Sequence, residues 1–456
     1  MWMRRLSIKT PSVTDMVALA LVLNLFLLRP TALGETYTPL GMALALPLTG
    51  LHILHNMRKK RFSNPSIRWD IGTLLGMLGL YWLYICPVSI YFQMSQLDWV
   101  IREFVTTGVI VLAYAGFLLD AQANRQFFKK LCTVISVLGL SSVITVALSA
   151  LLGGKDALFL FAIDVKGYTE ATLHPQGSTG AVYFPFSMLY SDYVAGAVKL
   201  DRYCAFFREA GIYQAVACFC LAYEAFTRRS KLIMLGLIGG IVCAFSSLGI
   251  ALLALTIGAI LLLSGVRIRA WRVALTIGVI TLIFPVAMYT PVIGLKDKAV
   301  THGTSLSDRS SSIERGLEDT ARNPLGNGLF SGVRENDGIC LLAQMGMMGI
   351  FGFACQVLML SGWRFGPARN WKKVAACTPL LITALVSQPI AGAPMMYVIG
   401  MVFIPPLVLG AARSRRGVAG FSGFPGFTAP TEHPALPELA HASMVASLPE
   451  PMVANS

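Results

Sequence analysis

Apolar runs of about twenty residues, each stopped by a short polar cluster, recur along this chain from residue 14 to residue 412. A helix needs roughly 20 apolar residues to cross a bilayer core of about 30 Å. Read against that length, the pattern predicts twelve spans: 14–30, 36–56, 70–93, 99–120, 131–152, 209–226, 232–246, 249–264, 273–293, 338–362, 374–393 and 396–412. In hydrocarbon such runs must be helices, because a helix satisfies its own backbone groups within one segment. The expected fold class is therefore an all-α polytopic membrane protein. Within 232–264 the polar break "FSSLG" (245–249) reads as a tight turn between two short spans.

The sign of the polar clusters sets the expected topology. Seven segments, 1–13, 57–69, 121–130, 227–231, 267–272, 364–373 and 413–416, hold 24 of the 37 Lys and Arg and no Asp or Glu. The positive-inside rule places them in the cytoplasm, together with both termini. An odd number of helices in 232–264 would break this alternation, which supports two there. Two long loops then face the periplasm, at about 153–208 and 294–337. With Glu209 they hold 11 Lys and Arg and 13 of the 23 acids. Loops this long are functional or disordered as a rule. The first carries "VYFPFSMLYSDY", whose aromatic residues predict a packed segment. In the second, Ser311 to Arg322 reads as a short amphipathic helix with Ile313 and Leu317 on one face, ended by Pro324 and Gly326. Residues 1–416 are expected to form one transmembrane domain. The tail 417–456, rich in Pro, Gly, Ala and Ser, is expected to be a disordered cytoplasmic segment.

Composition narrows the function. The chain of 456 residues is 55% hydrophobic and 13% charged, against about 25% charged for a soluble domain. Its net charge of +14 lies in short clusters between apolar runs. A nucleic-acid surface needs a basic patch on a folded domain, so no nucleic-acid partner is expected; the bilayer itself is. Of the nine cysteines, Cys132, Cys218, Cys220, Cys243, Cys355 and Cys377 lie inside apolar runs and read as small apolar residues. Cys204 and Cys340 lie near the loop–membrane boundary, and no disulfide between them is expected. The basic start "MWMRRLSIKT" before the first apolar run resembles a signal peptide, and an uncleaved first helix is the favoured reading. No internal repeat is evident, which weighs against a transporter built from repeated halves.

The candidate chemistry gathers at the outer face. In "RYCAFFREAGIY" (202–213), Arg202, Arg208 and Glu209 stand where the sixth span begins. A helical run would put Arg202 and Glu209, seven residues apart, on one face. One reading is structural: snorkelling arginines, and a glutamate matched to the helix dipole. The other is functional, since ionisable groups at a membrane mark sites. The second loop adds Arg309, Arg315, Arg322 and Arg334, interleaved with Asp308, Glu314, Glu318, Asp319, Glu335 and Asp337. These residues suit either ordinary i,i+4 pairing on a helix or a phosphate site, because the planar arginine fork binds phosphate oxygens bidentately. A nearby carboxylate could take the proton of an attacking hydroxyl. No HExxH, CxxC, paired-aspartate or GxGxxG motif occurs in the chain. His174 and His302 lack spaced partners for a metal, so no cofactor is expected and a metal-independent enzyme is. Gly346, Gly349 and Gly352 in "LLAQMGMMGIFGF" read as a close helix-packing surface.

Three stretches taken in order carry a resemblance. "RYCAFFREAGIYQA" resembles the Arg-x-x-Gly-x-Phe-x-Glu-x-Gly pattern of the O-antigen polymerase and ligase superfamily, the Wzy-like proteins. "FSSLGIALLALTIGAILLL" resembles the helix pair that follows it there. "SDRSSSIERGLEDTARNPLGNGLF", with "ENDGICLLAQMGMMGIFG" after it, resembles the second periplasmic loop and its Gly-rich helix. The likeness covers about residues 200–362. It implies a GT-C-like architecture and a glycosyltransferase of the bacterial inner membrane. Such an enzyme moves a growing glycan from undecaprenyl pyrophosphate to an acceptor, with a chain-length regulator and a flippase as candidate partners. Carried over, Arg202 and Arg309 match the arginines expected to bind the donor's pyrophosphate, while Arg208 and Glu209 match the variable Phe-x-Glu segment. The remaining loop arginines, Arg315 and Arg334, are further candidate contacts. Where the ligase branch carries a histidine before the Gly-rich helix, this chain reads "RENDG", which favours the polymerase branch. Glu209, Glu335 and Asp337 are then alternative bases, Glu209 being otherwise a helix cap. Ala205 replaces the pattern's first glycine.

Overall fold

The computed structural model describes residues 12–57, 64–92, 96–166, 168, 175–195, 198–264, 270–289, 303–331, 338–366 and 370–405. The chain divides into two units, Met1–Val408 and Leu409–Ser456, and everything described lies in the first. The expected tail therefore falls outside the described residues.

Helices dominate. They are α1 (Val13–Asn24), α2 (Gly34–Met57), α3 (Pro65–Tyr91), α4 (Leu97–Leu118), α5 (Ala121–Leu152), α6 (Ala210–Phe226), α7 (Lys231–Cys243), α8 (Ser247–Leu263), α9 (Ala270–Tyr289), α10 (Gly303–Arg322), α11 (Met345–Leu360), α12 (Trp371–Val386) and α13 (Pro394–Gly400). Four of them, α2 to α5, are long and apolar enough to cross a membrane; several further apolar helices are shorter. Their outward positions are apolar too: Leu54, Leu83, Leu112, Val137 and Leu235 are each at least 60% exposed. Large apolar side chains exposed on five helices suit hydrocarbon better than water.

The caps follow from local sequence. Asp120 Oδ1 accepts the Gln122 and Ala123 amides at 2.7 and 3.3 Å and starts α5. Gly153 ends that helix in the left-handed region, where glycine carries no Cβ penalty. The stretch 232–264 is two helices, α7 and α8, broken at Ala244–Ser246. α6 is the central helix. All its residues except Gly211 are buried, and it packs against α5, α7, α8 and α12. Glu224, fully buried at its end, is satisfied by Arg228 Nε and Nη2 at 2.8 and 2.6 Å and by the Ser230 amide at 3.0 Å.

Three expectations are corrected. The fold is not all-α. The first long loop contains an antiparallel sheet in the order β1-β2-β3-β4: Phe159–Ala162, Ala181–Tyr183, Ser187–Ala195 and Val198–Tyr203. The loop does pack, as its aromatics suggested. Phe184 O and the Phe186 amide bond the α5 hydroxyls of Thr145 and Ser141 at 2.7 and 2.9 Å.

In the second loop, α10 begins earlier than Ser311, and its buried face is Ser312, Gly316 and Thr320; Leu317 is exposed. The physical reason is its partner. A Cβ on Gly316 would lie 2.6 to 2.7 Å from the backbone carbonyls of Ala343 and Leu342, so small residues must face that turn.

Last, the apolar runs 338–362, 374–393 and 396–412 are not three continuous helices. α11 starts only at Met345 and contains non-helical Gly349 (φ +66°). α12 stops at Val386, and α13 has seven residues. Pro389 and Gly392 (φ +83°) lie in the break before α13, which Pro394 opens, while the run stays apolar. At Gly349 the "NPLGNG" turn lies backbone to backbone: Asn327 N bonds Gly346 O at 3.0 Å, Gly328 N bonds Met347 O at 2.9 Å, and Ile350 N bonds Pro324 O at 3.0 Å. Gly349 thus admits a turn, whereas Gly346 packs closely against α10, where a Cβ would lie 2.8 Å from Asp319 Cβ and 3.3 Å from Gly316 O, as a close helix-packing residue does.

Candidate functional site

The residues that open α6 are stitched to the turn between α1 and α2. Thr31 bridges Phe207, Ala32 N bonds Phe206 O at 2.9 Å, and Arg208 N bonds Pro30 O at 3.2 Å. To make this reversal after β4, Ala205 and Phe206 adopt φ of +47° and +66°. Ala205 therefore occupies a backbone position that glycine suits. We expect Ala205→Gly to change stability by no more than about 1 kcal/mol, since relief of left-handed strain offsets the lost methyl and the chain entropy. The same exchange at Ala215, buried in mid-helix, should cost about 1–2 kcal/mol. Paired thermal melts in detergent check the contrast.

Arg202 and Glu209 do not share a helical face, because α6 begins only at Ala210. Arg202 lies on β4 opposite Ser191, and Glu209 is the N-cap residue, its side chain making no cap hydrogen bond. They converge instead on Tyr190. The Arg202 guanidinium is 5.2 Å from the Tyr190 ring centroid, and Tyr190 Oη donates a long hydrogen bond to Glu209 Oε2 at 3.5 Å. Arg202 Nε donates to Ala244 O at the end of α7, at 3.3 Å. Burial lowers the Arg202 pKa; Tyr190 and Glu209 oppose that, and the like charge of Arg309 adds to it. Arg309 belongs to α10. Its Nε is buried with no hydrogen-bond partner among the described residues. Burial first, and then the Glu209 charge, push the Tyr190 phenol well above its usual range. Arg315, six residues on from Arg309, donates from Nη2 to Ser312 Oγ at 3.0 Å. Arg334, Glu335 and Asp337 lie outside the described residues.

Arg208 turns the other way, into a cavity of about 290 Å3. Its Nη1 meets Glu35 Oε1 of α2 at 3.1 Å. Across the same cavity Arg29, from the α1–α2 turn, makes a close ion pair with Glu103 of α4. Tyr81, Trp82, Met347 and Met348 supply apolar wall, and the broken backbone 389–393 closes it. Irregular backbone inside an apolar run is tolerated where it lines a cavity. Tyr168 joins the two groups. Its ring centroid is 5.8 Å from the Arg208 guanidinium and packs edge-on to Tyr190 at 6.2 Å.

Arg29, Glu35 and Glu103 were not singled out by motif. One signal was available: Arg29 and Arg102 are the basic residues that neither the seven clusters nor the two loops contain. Both cysteines at the loop boundary, Cys204 and Cys340, are buried free thiols. Among the described residues no group of three His, Cys, Asp or Glu is placed to hold a metal ion. Compared with protein-family models, curated proteins and solved structures, the chain matches none.

Proposed function

We propose that this protein polymerises undecaprenyl-pyrophosphate-linked oligosaccharide repeat units at the periplasmic face of the bacterial inner membrane. Both termini are cytoplasmic in this reading, and the architecture is a twelve-span, GT-C-like one. The observation that carries it is the meeting of Arg202 and Glu209 at Tyr190, where the first long loop reaches the mouth of the central helix; Arg309 of the second loop adds its like charge at Arg202. The ordered likeness of residues 200–362 to the Wzy-like proteins supports the same reading.

The chemistry follows from charge. An acceptor hydroxyl attacks the anomeric carbon of the donor glycan. The bond from that carbon to the pyrophosphate oxygen breaks, and its electron pair leaves with the lipid pyrophosphate. Arg202 and Arg309 are suited to meet the charge that develops on that leaving group. The hydroxyl's proton passes to a carboxylate. Glu209 is the candidate on the described surface, with Glu335 and Asp337 as the others.

The test is a liposome carrying purified protein and one synthetic undecaprenyl-pyrophosphate repeat unit of the host's own glycan. A product ladder is expected. Verified native substrate without a ladder sinks the polymerase reading. Transfer of preformed polymer to a second lipid would then mark a ligase. A transport reading draws on Glu103, an acid within α4 that faces a cavity. It requires that the unit change sides of the liposome with no new glycosidic bond.

A further inference from the structure

We propose that the cavity is a second anion site. It takes the phosphate end of a lipid at Arg29 and Arg208, and Glu35 and Glu103 hold those arginines until the ligand displaces them. The role of the bound lipid, as the acceptor in the transfer proposed above, rests on that reading; the binding itself does not.

Four observations carry the proposal. The cavity wall holds two arginines and two glutamates amid mainly apolar side chains, so each guanidinium that leaves its glutamate needs another anion beside it. Each of the two ion pairs uses a single terminal guanidinium nitrogen, Arg29 Nη2 and Arg208 Nη1. Arg208 Nε is buried with no hydrogen-bond partner among the described residues. A phosphate, with its additional oxygens, can engage a guanidinium fork from two nitrogens, which these single contacts leave unused. The volume of about 290 Å3 is at the lower end of small-molecule sites, roughly 300–1,000 Å3. That suits a phosphate head with the first carbons of a chain against Trp82 and Met348, and it is too small for a glycan. Finally, Tyr168 and Tyr190 link Arg208 to Arg202 through ring contacts: Arg208 against Tyr168, Tyr168 against Tyr190, and Tyr190 against Arg202. Two cationic positions thus lie at the ends of one aromatic pair, which suits a transfer whose donor and acceptor are both held by their lipid phosphates.

The probe is undecaprenyl pyrophosphate lacking sugar, titrated into the full-length protein in nanodiscs and read by native mass spectrometry. Two molecules should bind wild type, and Arg29→Ala or Arg208→Ala should leave one. Glu103→Gln and Glu35→Gln keep the side-chain shape and remove the internal competitor. If the pairs are closed nine-tenths of the time, each exchange tightens one site by about tenfold. A merely structural ion pair gives no such gain, and misfolding cannot produce one. Inorganic pyrophosphate should bind at least a hundredfold more weakly than the lipid; equal affinity overturns the lipid assignment. Unchanged or weaker binding in both glutamine variants overturns the proposal, as does retention of two molecules by the alanine variants. Should a ladder form while the cavity variants bind unchanged, this inference fails and the polymerase reading stands. Two occupied sites without a ladder leave the inference standing and remove the polymerase reading.

Discussion

Arg202→Ala should slow the proposed repeat-unit transfer by about a hundred- to a thousandfold, the usual loss when one preorganised donor to developing charge is removed. The alternative is that Arg202 merely ties β4 to the end of α7 through Ala244 O. That role is small. A lost hydrogen bond costs about 0.5–1.5 kcal/mol, and the stacking on Tyr190 adds about 0.5–2. Arg202→Lys separates the two. Lysine keeps a cation for the α7 carboxyl end and for the Tyr190 face, so the melting temperature should recover. It lacks the planar fork, so the rate should not. Single-turnover rates in liposomes, beside melts of the same samples, read both. The loss should fall on kcat more than on KM, since the charge on the leaving oxygen develops in the transition state. Recovery of rate with lysine would show that Arg202 supplies charge alone and would overturn the bidentate assignment.

The helical character was legible in the sequence, because it rests on local properties. Apolar run length located α2 to α5, and "FSSLG" marked the break between α7 and α8. The four-stranded sheet was missed because its strands are three to nine residues long and surrounded by aromatic residues without a clear period. Its one signal was the alternation Val198, Lys199, Leu200, Asp201, a period of two. The face of α10 was misread for a different reason. Hydrophobicity pointed to Ile313 and Leu317, yet its partner is the backbone of a turn, which selects Ser312, Gly316 and Thr320. Breaks at Gly349 and Gly392 leave hydropathy unchanged, so run length cannot see them. The site divided similarly. Arg202, Arg309 and Glu209 carry motif signals. The pairs Arg29–Glu103 and Arg208–Glu35 join residues 74 and 173 positions apart, and no local pattern specifies such a partner.

Those cavity walls come from α3 and α11, and the largest stability effect concerns what holds these helices at their other end. Asp70 of α3 lies 3.2 Å from Lys373 Nζ of α12 and 4.0 Å from Arg364, in the link between α11 and α12. Asp70 and Lys373 are each about 1% exposed. Asp70→Ala leaves a buried lysine without its carboxylate, and should destabilise the protein by about 3–5 kcal/mol. Denaturant unfolding in detergent measures it. The double variant Asp70→Leu, Lys373→Met should recover part of that loss, since a well-packed apolar pair can replace a buried ion pair at little cost, while Arg364 still loses Asp70. The coupling between the two changes should then exceed about 1 kcal/mol. Additive losses would mean that the pair is not coupled and that each residue acts through other neighbours. The double variant also bears on function. If the ion pair only fixes the distance from α3 to α12, it should retain transfer activity, because Tyr81 and Trp82 would still meet Met347 and Met348 across the cavity. A stable double variant that has lost activity would instead show that the charges at this end act on the site.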